Sequence, residues 1–285
     1  MSFKRKTFNL ISAPFYSSKP TAIQSSVPKL IRESGAIKSV VKNGFKVRHI
    51  EEILMDWSSE NSFDNHKVLS DRIQSVVSAD SFTLILGGDE NVSLGTIPGI
   101  LRKKANSSVI KICPESFLGK TDKFENSILP LLKKKVPLTN QPEQLNWLAK
   151  VPPLKYCAYI GLSETSDKEK KLLKKAQISY FHCPNEYAIH ASVIKLFEFL
   201  RSSENWHLSL DFNVLKADLA VVRNPQKSGL SLLGVQFLCK VLYMSGNLTS
   251  MEMLNVDLGH EPDDARKRAL RFAGALVDAA TGGPV

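Results

Sequence analysis

The sequence predicts an α/β protein, a three-layer α/β/α sandwich around a mostly parallel sheet of about eight strands. Three observations carry that prediction. Short apolar, β-rich runs alternate with longer amphipathic ones along nearly all of the 285 residues. Several short runs, such as residues 82–86 and 156–162, are apolar with little alternation, as strands covered on both faces are. Residues 81–99, SFTLILGGDENVSLGTIPG, read as strand, glycine turn, polar residues and helix. In open α/β sheets, turns of that kind lie at the carboxyl ends of the strands, where ligands bind.

Each element has its own signal. Residues 6–14 form a first strand, ended by Pro14. Residues 28–37 read as a helix, since Pro28 is favourable in a first turn. After Gly44, residues 45–50 alternate as a strand. Residues 66–77 are amphipathic, with Val68, Leu69, Ile73, Val76 and Val77 on one face. Strand 82–86 and its following helix come next, then strand 109–113, ended by Pro114. Residues 115–144 are the least regular, with one short apolar run at 128–132, and residues 144–149 are weakly helical. Strand 156–162, a basic helix at 168–176 and strand 178–183 follow. Helix 188–200 turns Ile189, Val193, Ile194, Leu196 and Phe197 inward. Strand 207–212, helix 232–244 and strand 248–256 lead to a closing helix at 262–280, whose first turn holds Asp263 and Asp264. No repeat, low-complexity linker or composition break divides the chain, so residues 1–285 are expected to form a single domain.

The bulk numbers exclude several classes. Hydrophobic residues make up 43% and charged residues 23%, as in ordinary globular proteins. No apolar run approaches the ~20 residues that span a bilayer, so no membrane partner is expected. The start MSFKRKTFNLISAP carries no recognisable cleavable signal. The net charge is +10, but the lysines at 133–135 and 168–175 lie in helix-like segments, where Leu172 and Leu173 turn inward. Solvated helix faces account for that charge, and no nucleic-acid motif accompanies it. The four cysteines, Cys113, Cys157, Cys183 and Cys239, are far apart and form no CxxC pair. Reduced thiols and a cytoplasmic location are the expectation. The chain has neither a GxSxG elbow nor a P-loop, and its GGDEN is no dinucleotide fingerprint.

The wording of the blocks says more. LILGGDENVSLGTIPGI resembles the GGDHS segment of the arginase and agmatinase family, the ureohydrolases. ISAPFYSSKP with VPKLIRESG, IGLSET with SYFHC, WHLSLDFNVL, GLSLLGVQFL and SMEMLNVDLG resemble further blocks of that family in the same order. The resemblance covers nearly the whole chain. It implies an arginase-like fold and a homo-oligomer, a homotrimer in the first instance. It also implies a pair of manganese ions that bridge a hydroxide attacking the guanidinium carbon of arginine.

Carried over residue by residue, that chemistry is incomplete. The family's metal-binding histidine of GGDHS falls on Glu90. Its DAHxD strand end falls on CPESF, giving Cys113, Glu115 and Phe117. Its DVD block keeps Asp211 and has Asn213 for the second aspartate. The substrate-pairing glutamate falls on Met253, with Glu252 one register step away. The proton-shuttling histidine has no counterpart in residues 125–129, ENSIL. The aspartate that binds the substrate α-amino group falls on Ser166, and Glu169 retains a nearby family glutamate.

These departures resemble those of metal-free arginase-like proteins of trypanosomatids. The reading is of a pseudoenzyme that has lost its manganese site, binds no metal cofactor, and has no catalytic residues. It acts by binding an unknown small molecule or protein, or by regulating an oligomer. Acidic residues left without manganese need lysine or arginine, hydrogen bonds or raised pKa values, and Glu90 or Glu115 is expected to be tied into a structural hydrogen-bond network. Two alternatives remain: a metal-dependent ureohydrolase rebuilt around Glu90, Glu115 and Asp211, and a purely structural or scaffolding protein.

Overall fold

A computed structural model of the chain describes residues 7–56, 62–116, 118, 128–133, 143–162, 165–183, 186–216, 229–258 and 263–285. Among the described residues the strands are β1 (Thr7–Ala13), β2 (Lys46–Glu52), β3 (Ser81–Gly87), β4 (Ser107–Ile112), β5 (Tyr156–Leu162), β6 (Ser179–His182), β7 (Asn205–Asp211) and β8 (Leu248–Leu254). They form one sheet in the order β2-β1-β3-β8-β7-β4-β5-β6. Every pairing in it is parallel. Parallel neighbours need crossovers, and helices supply them on both faces. These are α1 (Ala22–Ile31), α2 (Ile37–Lys42), α3 (Ser62–Val76), α4 (Ser93–Lys103), α5 (Ile128–Leu132), α6 (Asp167–Lys175), α7 (Glu186–Leu200), α8 (Leu232–Met244) and α9 (Asp263–Ala280).

Strand alternation sorts the core into two layers. On one face Phe8, Leu84, Ile110, Leu208 and Met251 pack under α1, α2, α7, α8 and α9. On the other, Val109, Cys113, Cys157 and Tyr159 lie under α4, α5 and α6, and Ile11, Ile85 and Leu254 lie under α3 and α4. The second face is unusual in its centre. There the inward positions are Thr83, Lys111, His207, Ser209, Ser250 and Glu252, all buried. That polar row runs across the middle of the sheet, where packing alone would favour valine or isoleucine.

The largest differences from the expected elements have local causes. The first helix starts at Ala22 because Thr21 closes a capping box with Gln24, its hydroxyl accepting the Gln24 N–H at 3.2 Å. Pro28 therefore lies inside α1, and the chain turns through a π-type segment, Arg32–Ala36, at Gly35 before α2. Val68 and Ile194, expected to face inward, are 57% and 65% exposed. The buried stripe of α3 runs through Leu69 and Ile73, and that of α7 through Ile189, Leu196 and Leu200. At 100° per residue Val68 stands ~100° from Leu69, and Ile194 stands ~140° from the middle of its stripe, nearly on the opposite face.

Candidate functional site

Four adjacent strands, β3, β8, β7 and β4, end side by side at the middle of the sheet. The turn after β3 is fixed first. Gly88 lies so close to β1's exit that a Cβ there would stand 2.1 Å from the Phe15 carbonyl oxygen. The Asp89 N–H donates to that carbonyl at 2.9 Å, and the Gly88 carbonyl accepts from the Asn255 N–H at 2.7 Å. The Asp89 carboxylate accepts from the Ser17 N–H and hydroxyl at 2.8 and 2.6 Å, and from the Asn91 N–H at 3.0 Å. Asp89 is thus a structural cap, and it aims the next residue, Glu90, at the strand ends.

Glu90 meets Lys111 of β4. The ammonium donates to Glu90 Oε2, and the two side chains are only 6% and 12% exposed. Burial alone would lower the Lys111 pKa, but the charge of Glu90 beside it outweighs burial and raises it, so the ammonium keeps its proton. Asp211, at the end of β7, is fully buried. Its Oδ1 accepts from the Asn213 N–H at 2.8 Å and from Asn255 Nδ2 at 3.0 Å, and Oδ2 has no hydrogen-bond partner among the described residues. Burial and the nearby Glu90 charge push its pKa up to about 8. Glu252 of β8 accepts from the Ser93 hydroxyl at 2.6 Å and lies 3.7 Å from His207 Nε2. Burial would raise the Glu252 pKa, but His207, Ser209 and Ser93 together draw it down to about 2.

The expected site residues separate into groups. Glu90, Cys113 and Asp211 surround Lys111, close enough for each to act on its neighbours' ionisation. The Cys113 S–H donates to the Glu115 carbonyl at 3.1 Å, and burial holds the thiol well above its ordinary range. Glu115 is partly exposed, and Phe117 lies outside the described residues. Asn213 is buried and closes the turn after β7 through its backbone. Met253 belongs to the opposite core layer, whereas Glu252 faces Ser93 and His207. Ser166 and Glu169 form the capping box of α6. Glu169 also accepts from the Ser116 hydroxyl at 2.7 Å, tying α6 to the segment after β4.

Lys111 and Asn255 escaped the sequence reading. The available signal for Lys111 was a lysine inside the otherwise apolar run VIKIC. For Asn255 it was an asparagine directly after a strand, where its φ of +58° is tolerated.

Residues 6–112 match the family model described as the Arginase family. Arginase-1 of Sus scrofa is 24% identical over 99% of this chain and 95% of its own length. The arginase of Saccharomyces cerevisiae is 28% identical over 67% of this chain and 62% of its own. The crystal structure of arginase from Bacillus subtilis superposes with a TM-score of 0.83 at 22% identity, covering 98% of this chain and 100% of that one.

The chain has the arginase fold, and its residues 6–112 carry the family's sequence pattern. That likeness leaves the reaction open, because the fold carries more than one activity. Formimidoylglutamase from Bacillus subtilis superposes with a TM-score of 0.71 at 19% identity, over 98% of this chain and 89% of that one. In this chain the four strand ends hold an ammonium–carboxylate pair and a buried aspartate. Among the described residues, no three histidine, cysteine, aspartate or glutamate side chains are grouped to hold a metal ion.

Proposed function

We propose that this arginase-fold chain no longer hydrolyses arginine, and that its remaining role is binding or regulation within an oligomer. The observation that supports this most is the buried contact between Lys111 and Glu90. Glu90 stands where the resemblance implies a metal-binding histidine. An ammonium in hydrogen-bond contact with it supplies the positive charge there. A pair of manganese ions would have to sit against that ammonium, at a donor set with Cys113 and Asn213 in place of two aspartates. These residues do not fit such a centre.

The competing reading is a working hydrolase rebuilt on Glu90, Glu115 and Asp211, favoured by relatives that carry the name arginase. Metal content separates the two. The purified chain is incubated with excess manganese, desalted, and its metal counted by mass spectrometry, with urea release from arginine measured in parallel. The expected result is a manganese count near zero and no urea. One or two manganese ions per chain together with urea release would establish the competing reading. The oligomer is proposed as a homotrimer by family resemblance, and sedimentation equilibrium giving a monomer mass would overturn that part.

A further inference from the structure

We propose that the free edge of the sheet, along β6 between α6 and α7, is a docking groove for an acidic peptide segment in extended conformation. β6 ends the strand order and pairs with β5 only, so its outer side has no strand partner among the described residues. Such an edge offers main-chain donors and acceptors to an added strand. A groove of about 570 Å³ runs along it, with Lys170, Lys174, Tyr180, Phe181, Lys195 and Phe199 in its walls.

The walls decide the occupant. α6 packs on one face of the sheet through Leu173 and Ala176's turn, and α7 on the other through Leu196 and Leu200. Lys170 and Lys174, one helical turn apart, therefore overhang the edge from one side, and Lys195 with Phe199 from the other. Among the described residues, no acidic side chain lines the groove. Side chains of an added strand alternate between the two sides. One row would meet the α6 lysines, and the other would meet Lys195 and the Phe199 ring. Glutamate or aspartate on the first row, with an acid and an apolar residue on the second, fits both. A second copy of this chain fits poorly, because it would bring the same lysines face to face. The proposal is independent of whether the chain hydrolyses arginine.

The test uses the full chain and a short fluorescent peptide that alternates glutamate with valine and phenylalanine, read by anisotropy. Saturable binding that weakens with added salt is expected. Binding should fall by about tenfold or more in Lys170→Glu/Lys174→Glu/Lys195→Glu, as loss of charge complementarity requires. A control with the same charge change on the exposed face of α9, Lys267→Glu/Arg268→Glu/Arg271→Glu, should bind nearly as the parent does. Absence of saturable binding would overturn the proposal, as would an equal loss in the α9 control. Equal binding of a proline-interrupted peptide of the same composition would also overturn it, since that peptide cannot add as a strand. So would sedimentation showing that the groove substitutions abolish self-association, because the occupant would then be a second copy.

Discussion

Lys111 and Glu90 show how much one buried pair can decide. Each charge is removed from water, and each is tolerable because the other is in contact. Lys111→Met should therefore strand a buried carboxylate and cost about 3–5 kcal/mol. Lys111→Met with Glu90→Gln should recover most of that loss, because neither residue then carries a charge. Urea denaturation of the two variants beside the parent checks both expectations. A neutral Lys111→Met would mean that Glu90 is not held by the ammonium. The sequence reading expects Glu90 or Glu115 to be tied into a hydrogen-bond network, without naming the partner. Among thirty-eight lysines and arginines, local pattern does not say which reaches a given carboxylate. A second residue sets a pH dependence. His66 is buried against Phe15 and Phe63, and burial lowers its pKa from 6.5 to about 4. The unfolded chain takes up that proton between about pH 6.5 and 4 and the folded chain does not, so stability should fall as pH drops through that window. His66→Gln should flatten that part of the profile, measured as Tm against pH. A profile unchanged by the substitution would place the acid sensitivity elsewhere.

Elements were legible where a local rule sufficed. The strands and most helices follow from runs and periods that each segment carries itself, and β5 and α8 coincide with the expected ranges. The start of α1 lies earlier than proline's preference for a first turn suggests, because the reciprocal bonds of Thr21 and Gln24 set the boundary. Ser166 and Glu169 show the same kind of displacement of roles. They were carried over as ligand-pocket positions, and the structure uses them to start α6. Ser166→Ala should cost about 1 kcal/mol, the usual worth of an N-cap. Glu169→Ala should cost more, because the Ser116 hydroxyl loses its acceptor as well. Thermal unfolding of the two variants ranks them, and the reverse order would remove the tether between α6 and the segment after β4. Helix against helix, α3 and α4 approach closely at Gly95, where a Cβ would stand 2.8 Å from the His66 carbonyl oxygen. Backbone cannot yield there as a side-chain tip can, so Gly95→Ala should lower stability by about 1–3 kcal/mol, despite alanine's better helix propensity.

At the scale of the molecule, strand order does what no local pattern announces. Glu90, Lys111, Asp211 and Glu252 are spread along most of the chain, and they meet only because β3, β8, β7 and β4 are neighbours. Alternation along a strand tells which residues share a face, but not which strands lie side by side. That is why periodicity alone could not bring Glu90, Lys111, Asp211 and Glu252 together. The order also has a consequence for rebuilding the site. Restoring the residues that the resemblance implies, Glu90→His, Cys113→Asp, Glu115→His, Phe117→Asp and Asn213→Asp, leaves Lys111 in place against position 90. A cation entering there would meet an ammonium whose own partner, Glu90, had just been replaced. The five-change variant should therefore bind manganese weakly, and adding Lys111→Ala should strengthen binding by roughly tenfold or more, the scale of removing one close like charge. Isothermal titration with manganese reads this directly, with circular dichroism confirming that both variants keep their helices. Equal affinity in the two variants would show that the lysine leaves room for a metal, and would return the question of this chain's chemistry to the ligands themselves.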